Sequence, residues 1–354
     1  MQPTRARFAG PGAVSAAWQG PGAGPARGAP AHRRPWGVGL AVLAATIALM
    51  LRSTLPAVAV TSSLYASAVT GPGVLVWMGT HLWVADPRLG LCRLDGPAPD
   101  GGFAINTATC SRVAATPGQP AYDAVKGFVY VPDKSPDSQG VWRLAFDGVS
   151  ETVRDAVLVA PQSGLAGLRP TAAAVGRDHR LYVGSSQAGL VTVVTNPDGG
   201  ASSQQVQTVG KTLSGAGVAG LAFIGEDLYL AEGSAVTRIP KALGCRPSAP
   251  CPAEATPIGV SAPTALASDG VDELWIADTP RGRSDVVRYT FGTNTQDLYT
   301  NSGVLSSSVT TPLEFVTGLV LDPTGHLYMA DDPSGGRESG HGRVWRVTPG
   351  ALAS

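Results

Sequence analysis

Leu327-Tyr328-Met329-Ala330-Asp331 decides how this sequence is read, because five similar words precede it. They are Leu82-Trp83-Val84-Ala85-Asp86, Val129-Tyr130-Val131-Pro132-Asp133, Leu181-Tyr182-Val183-Gly184-Ser185, Leu228-Tyr229-Leu230-Ala231-Glu232 and Leu274-Trp275-Ile276-Ala277-Asp278. The words start 47, 52, 47, 46 and 53 residues apart. Each alternates with the two-residue period of a strand, an aromatic side chain on one face and aliphatic ones on the other. Self-similarity at such a period marks a repeat architecture.

The surroundings of the word repeat as well. Before it lies a short strand of small apolar residues, at 73–77, 121–125, 171–175, 219–224, 264–267 and 317–321. Tight turns such as Asp322-Pro-Thr-Gly325 and 269–272 join the two, with the Asp, Pro and Gly that turns favour. A third strand follows at 91–94, 141–144, 190–194, 235–239, 286–289 and 344–347, then a more polar fourth such as 151–159 or 204–209. Four antiparallel strands per repeat make a propeller blade. The expected fold is therefore all-β: a six-bladed β-propeller of four-stranded antiparallel blades. A linear stack would leave apolar end faces, whereas a ring buries every face against a neighbour. The last repeat ends after its third strand, so residues 60–67 are expected to supply the fourth and close the ring.

This pattern resembles the NHL-repeat propellers, whose unit runs Gly-x-Ala-x-Asp, then Gly-x-Leu-Tyr-Val-Ala-Asp, then an Arg followed by Val or Ile. The last repeat carries it as Gly318-Leu-Val-Leu-Asp322, Gly325-His-Leu-Tyr-Met-Ala-Asp331 and Arg346. The fifth has Ala265-Leu-Ala-Ser-Asp269, the word ending at Asp278, and Arg288. The resemblance spans residues 61–349 and implies the fold. It does not imply one function, because such rings serve binding modules, lactonases and lyases alike.

Outside the ring the composition changes. Of the 26 Lys and Arg, six Arg lie in residues 1–52, which hold no acid, so 20 basic groups face 26 acidic ones in the rest. A mildly acidic body without a basic run excludes a nucleic-acid partner, which needs clustered Lys and Arg. Residues 1–36 are rich in Gly, Pro, Ala and Arg and are expected to be a disordered basic segment. Residues 37–59 are expected to form one apolar helix, a signal sequence or a single membrane anchor. Arg33-Arg34 lie just before the uncharged stretch 37–51, and Ala57-Val58-Ala59 offers a cleavage pattern. Either way the ring, residues 60–354, is expected outside the cytoplasm, secreted, periplasmic or anchored to the membrane through that segment if it stays uncleaved. Cys92 with Cys110 and Cys245 with Cys251 are expected to form two disulfides, with buried free thiols as the alternative. Neither spacing suits zinc.

The acids that end the words, Asp86, Asp133, Glu232, Asp278 and Asp331, fall at one mouth of the channel. They read either as a ligand for a divalent cation or as acceptors for turn N–H groups. Arg93, Arg143, Arg238, Arg288 and Arg346 on the third strands read as an anion ring or as partners of acids. His81, His179 and His326 belong to turns on the opposite face. The loop after Asp331 adds Asp332, Glu338 and His341 to the acid-bearing mouth. Loop-rich mouths carry binding surfaces, so Asp133, Asp278, Asp331, Asp332, Glu338 and His341 are the candidate ligand site. The expected function is an exported, non-catalytic propeller that binds a protein, a glycan or a small molecule there. The alternative is a metal-dependent lactonase- or esterase-like hydrolase similar to the gluconolactonase and regucalcin family. That family holds a cation on the axis through a Glu of a Glu-Gly-Pro segment and later Asn and Asp residues, whereas this chain reads Thr70-Gly71-Pro72-Gly73 there.

Overall fold

The computed structural model describes residues 61–348 except 70–72, 87, 98–101, 113, 115, 136, 138–139, 161–164, 188, 247, 281–283, 300–312 and 333–341. The basic segment, the apolar segment 37–59, Glu338 and His341 lie outside the described residues. Among the described residues, no helix is long and apolar enough to cross a membrane.

Each repeat folds as an antiparallel unit. In the fifth, Pro263–Ser268, Glu273–Asp278, Asp285–Thr290 and Thr295–Tyr299 pair in chain order. The inner strands of the six units are Leu75–Met78, Ala121–Asp123, Pro170–Val175, Val218–Ile224, Pro263–Ser268 and Val316–Leu321. Each lies beside the next, and the sixth lies beside the first, so the inner strands form a closed cycle. This is a propeller, and its units are called blades 1 to 6 below.

The closing strand is Thr61–Val69. It pairs antiparallel with Gly342–Thr348, the third strand of blade 6, with Thr61 opposite Thr348 and Leu64 opposite Trp345. A parallel bridge from Ala66 to Phe103 also joins it to the outer strand of blade 1. Blade 4 departs from the simple repeat. Its fourth strand shrinks to Glu254–Ala255, while Cys251–Pro252 adds a fifth, parallel strand to blade 3. The Cys245–Cys251 disulfide closes the loop that makes this exchange, and Cys92–Cys110 ties the third to the fourth strand of blade 1.

The energy of the ring sits between blades. Six buried clusters each combine side chains of two consecutive blades, and the one joining blades 6 and 1 includes Ala66 and Val69 of the closing strand. Every residue of the word is buried in blades 3 to 6 because both strand faces meet a neighbouring sheet. Trp83 and Trp275 are 0% exposed. Truncating such a side chain to Ala costs about 3–5 kcal/mol.

At the axis the backbones meet. A Cβ on Gly318 would lie 2.9 Å from the Val74 Cα, and one on Gly118 would lie 2.2 Å from the Thr171 carbonyl oxygen. A bulge at the start of the inner strand recurs in blades 3 to 6. Threonines at that point sew blade to blade. Thr171 donates to the Val218 carbonyl, Thr264 to that of Val316 (3.0 Å) and Thr317 to that of Gly73 (3.0 Å).

Deleting residues 61–69 from the full chain should remove the edge that joins blade 6 to blade 1. The expected loss is at least about 3 kcal/mol, the scale of one large core truncation, or a fall in Tm of roughly 6 °C or more. Calorimetry showing an unchanged Tm would mean that the ring closes some other way.

Candidate functional site

The repeated acids are spent on backbone. Asp331 is fully buried and its Oδ1 accepts the N–H groups of Glu314 (3.0 Å) and Phe315 (2.9 Å), while Oδ2 meets Arg343 at 3.1 Å. Burial raises its carboxyl above the ordinary value, against the lowering effect of those N–H groups and of Arg343. Asp278 accepts from the N–H groups of Ser261 and Ala262, and Glu232 from that of Leu213. Asp133 accepts from Thr116 and Ser135, and Asp86 from Arg88 and Leu89. In blade 3 the Ser185 hydroxyl takes over, accepting from Gln187 and donating to the Leu168 carbonyl. The acids of blades 1 and 2 thus cap their own turns, and those of blades 2, 4, 5 and 6 tie down the segment that enters the blade. Asp332 is buried, and its N–H donates to the Phe315 carbonyl. Asp133, Asp278, Asp331 and Asp332 therefore sit at one end of the ring, three of them holding loop backbone.

The arginines pair. Arg93 meets Asp95 at 2.7 Å and Glu151 of blade 2 at 3.9 Å. Arg143 donates to the Pro197 carbonyl of blade 3 and lies over the Phe128 ring. Arg238 joins Asp227 and Glu254, and the buried Arg288 joins Asp297 and Glu273. Arg346 is exposed. The three histidines sit at the opposite end, each beside a carboxylate. Nδ1 of His81 is 2.7 Å from Glu151, that of His179 is 2.9 Å from Asp123, and that of His326 is 3.1 Å from Asp322. Among the described residues, no group of three or more His, Cys, Asp or Glu is arranged to hold a metal ion.

A cavity of about 710 Å³ lies on the axis and opens at the histidine end, where the turns between first and second strands lie. All six inner strands line it, with Leu75, Leu221, Leu266 and Leu319 deep inside and Trp77 and Tyr122 nearer the mouth. Its inner end is closed by Gln119. From blade 2 the Gln119 amide nitrogen donates to the carbonyls of Leu221 in blade 4 (2.7 Å) and Leu266 in blade 5 (3.3 Å). Its oxygen accepts the Leu221 N–H at 3.2 Å. Strand register gives the same position in the other blades to Val74, Ala172, Gly220, Ala265 and Gly318. Sequence reasoning passed over Gln119, whose signal is one long amide among five small residues.

Two carboxylates stand at the rim. Asp322 Oδ1 accepts the Thr324 and His326 N–H groups, and Oδ2 the Tyr328 hydroxyl. Burial pushes its carboxyl up, but the Thr324 hydroxyl and these N–H donors hold it below the ordinary value. Asp269, exposed at the rim, spends Oδ1 on the N–H groups of Val271, Asp272 and Glu273. Ser268 donates to the Phe223 carbonyl.

No protein-family model and no curated protein matches the chain. Among solved structures, it resembles a gluconolactonase from Xanthomonas campestris with a TM-score of 0.54 and 15% identity, over 81% of this chain and 88% of that one. A luciferin-regenerating enzyme gives a TM-score of 0.52 at 15% identity, over 83% and 96%. A Thermus protein described as a glucose-dehydrogenase-type oxidoreductase gives 0.53 at 16%, over 82% and 100%. These likenesses establish the propeller fold.

Gln119→Ala strands the buried Leu221 N–H and should cost about 1–3 kcal/mol in denaturant unfolding. Gln119→Glu should destabilise more at neutral pH, because a carboxylate would face two carbonyl oxygens. Its folded-state pKa would rise above the unfolded one, so its stability should fall as pH rises through that interval. A pH-independent Gln119→Glu would remove the donor role assigned here. Asp322→Asn keeps the turn acceptor and loses the charge. Since the folded Asp322 carboxyl is held low, wild type should lose stability relative to this variant as pH falls below about 4. Parallel acid unfolding curves for the two proteins would contradict that role.

Proposed function

We propose that the protein binds a small molecule in the axial cavity, apolar along most of its length and with one hydrogen-bond donor at the end that meets Asp269. The observation that carries this reading is the cavity itself. Its volume lies within the range of small-molecule sites, roughly 300–1,000 Å³, and its walls are mostly aliphatic and aromatic. A ligand there would bury its apolar length against the inner strands and present a hydroxyl or ammonium to Asp269 Oδ2. The two disulfides fit an oxidising compartment, which supports an exported protein.

A hydrolase of the gluconolactonase type is the second reading, and the names of the similar structures favour it over a purely non-catalytic binder. The gluconolactonase and the luciferin-regenerating enzyme are both described as enzymes on this fold. What the axis offers such chemistry is limited. The carboxylates lining the cavity are Asp269 and Asp322, both engaged in their own turns, and Gln119 occupies the narrow level with an amide. The described residues do not fit a carboxylate-held cation on the axis.

Trp77 lines the cavity and reports on it. Titrating the protein with aliphatic lactones, esters and long-chain alcohols should quench its emission saturably. Trp77→Phe should remove the signal, and Ala124→Trp at the rim should weaken binding at least about tenfold, or 1.4 kcal/mol. Saturable lactone or ester hydrolysis lost in the Ala124→Trp variant would establish the hydrolase reading. No quenching by any of these compounds would end the binding proposal.

A further inference from the structure

We propose that the ligand of the axial site is a cationic amphiphile, an organic ammonium with an apolar tail. The tail fills the cavity, and the charged head stays at the rim among Asp269, Asp322, Trp77 and Tyr122. The inference rests on the axial-cavity reading above and adds the charge of the ligand's outer end. Three observations meet at this mouth.

The first is the sign of the charge. Asp269 and Asp322 line the cavity, and no Lys, Arg or His does. Burial pushes the Asp322 carboxyl up, but the Thr324 hydroxyl and the turn N–H groups hold it below the ordinary value, so it is ionised at neutral pH. Asp272, in the same turn as Asp269, adds negative charge. The cations of this end are engaged or stand off the axis. Lys126, Arg154, Arg177 and Arg180 each meet a carboxylate, of Asp198, Asp147, Glu226 and Asp178. The third-strand arginines of blades 1, 2, 4 and 5 are held by their neighbours. Lys241 and Arg246 are exposed after the third strand of blade 4 and line no part of the cavity. Arg346, exposed on the third strand of blade 6, acts on the Tyr65 and Tyr328 hydroxyls instead. His326 Nδ1 lies 3.1 Å from Asp322 Oδ2, outside the lining. A mouth of this sign draws cations from solution.

The second is the aromatic half of the mouth, Trp77 on blade 1 and Tyr122 on blade 2. The face of an aromatic ring attracts an ammonium, that of Trp most strongly. The Trp77 indole N–H donates to the Gly79 carbonyl at 3.1 Å, which fixes the ring. Tyr328, 3% exposed, joins the two halves: its ring packs on Trp77 at 5.3 Å and its hydroxyl donates to Asp322 at 3.3 Å. Asp322 and Trp77 are therefore neighbours on the rim. The third is depth. Below the rim the wall carries leucines and no carboxylate, and the Gln119 amide closes the end. A charged head drawn inward would lose its hydration without a counter-charge, so it stays outside while the tail enters. An alcohol would gain a hydrogen bond at this rim, but neither the charge attraction nor the aromatic contact.

The experiment titrates the full chain with decylammonium, 1-decanol and decanoate, followed by Trp77 emission and by calorimetry. Decylammonium should bind at least about tenfold more tightly than 1-decanol, with decanoate weakest. High salt should narrow that gap. In the double variant Asp269→Asn, Asp322→Asn the gap should fall below about threefold, and Ala124→Trp should weaken decylammonium at the same mouth. 1-Decanol or decanoate binding as tightly as decylammonium overturns the cationic ligand and leaves the cavity reading standing. Decylammonium binding that Ala124→Trp leaves unchanged, or a full gap in the folded double variant, overturns the rim assignment. No response to any of the three compounds overturns the cavity reading and this inference with it. The wild-type ranking needs no variant, so it decides the matter even if the double variant fails to fold.

Discussion

Six twisted sheets can share one axis only if their inner strands approach to backbone contact, and that approach fixes side-chain size at one level of the ring. Gly220 and Gly318 meet the backbone of the next blade there, and a Cβ on either would come within about 3 Å of it. Ala172, Ala265 and Val74 stand at that level in the other three blades. Gln119 breaks the rule because the space it needs lies across the axis, over Gly220. A Cβ on Gly220 would come within 2.9 Å of the Gln119 amide oxygen. One long side chain on blade 2 thus depends on a missing side chain on blade 4, and the two residues form a single device that closes the cavity.

The same crowding explains where polar groups go. Inner strands packed this closely cannot all hydrogen-bond sheet-to-sheet, so threonine hydroxyls at the bulges take up carbonyls of the following blade. Segments that enter each blade cross from the outer edge to the axis and bring N–H groups with no strand partner. A buried N–H left unpaired costs about 1–3 kcal/mol. Asp278, Asp331 and Glu232 accept these groups, which accounts for an acid at the end of the word without any ligand. At the opposite end the shorter turns satisfy themselves through Asp269 and Asp322, and there the axis stays open and apolar.

The propeller fold was legible because its signal is written several times. The closing strand was legible from a count, since the last repeat runs out after Val347 and residues 60–67 were left to supply it; in the structure it is Thr61–Val69. The disulfide pairs were legible from their separation along the chain. What could not be read was path. Asp133, Asp278 and Asp331 were visible as a ring of acids, but whether they hold a ligand or a loop depends on how the incoming segment passes them, and no periodicity records that. Blade 4 hid its exchange with blade 3 for a similar reason: two residues of parallel pairing, Cys251 and Pro252, carry no strand pattern. Gln119 was obscured by the bulge, which shifts the register by one and hides the comparison with Gly220 and Gly318.

Shared architecture with gluconolactonase-like enzymes constrains this chain less than its own axis does. At the level of Leu75, Leu221, Leu266 and Leu319 the channel wall carries no carboxylate, and its polar groups include backbone amides such as the Leu221 N–H and carbonyl that Gln119 bonds. A doubly charged ion placed there would lose its hydration with little in return, since charges are costly to bury without several compensating groups. A neutral, flexible, apolar molecule loses nothing comparable and gains the burial of its length. The Asp269 carboxylate at the rim would add one polar contact for the outer end of such a molecule. For the ligand proposed here, selectivity would rest on length and on the position of a single donor, and any chemistry would take place at that polar end, within reach of the rim.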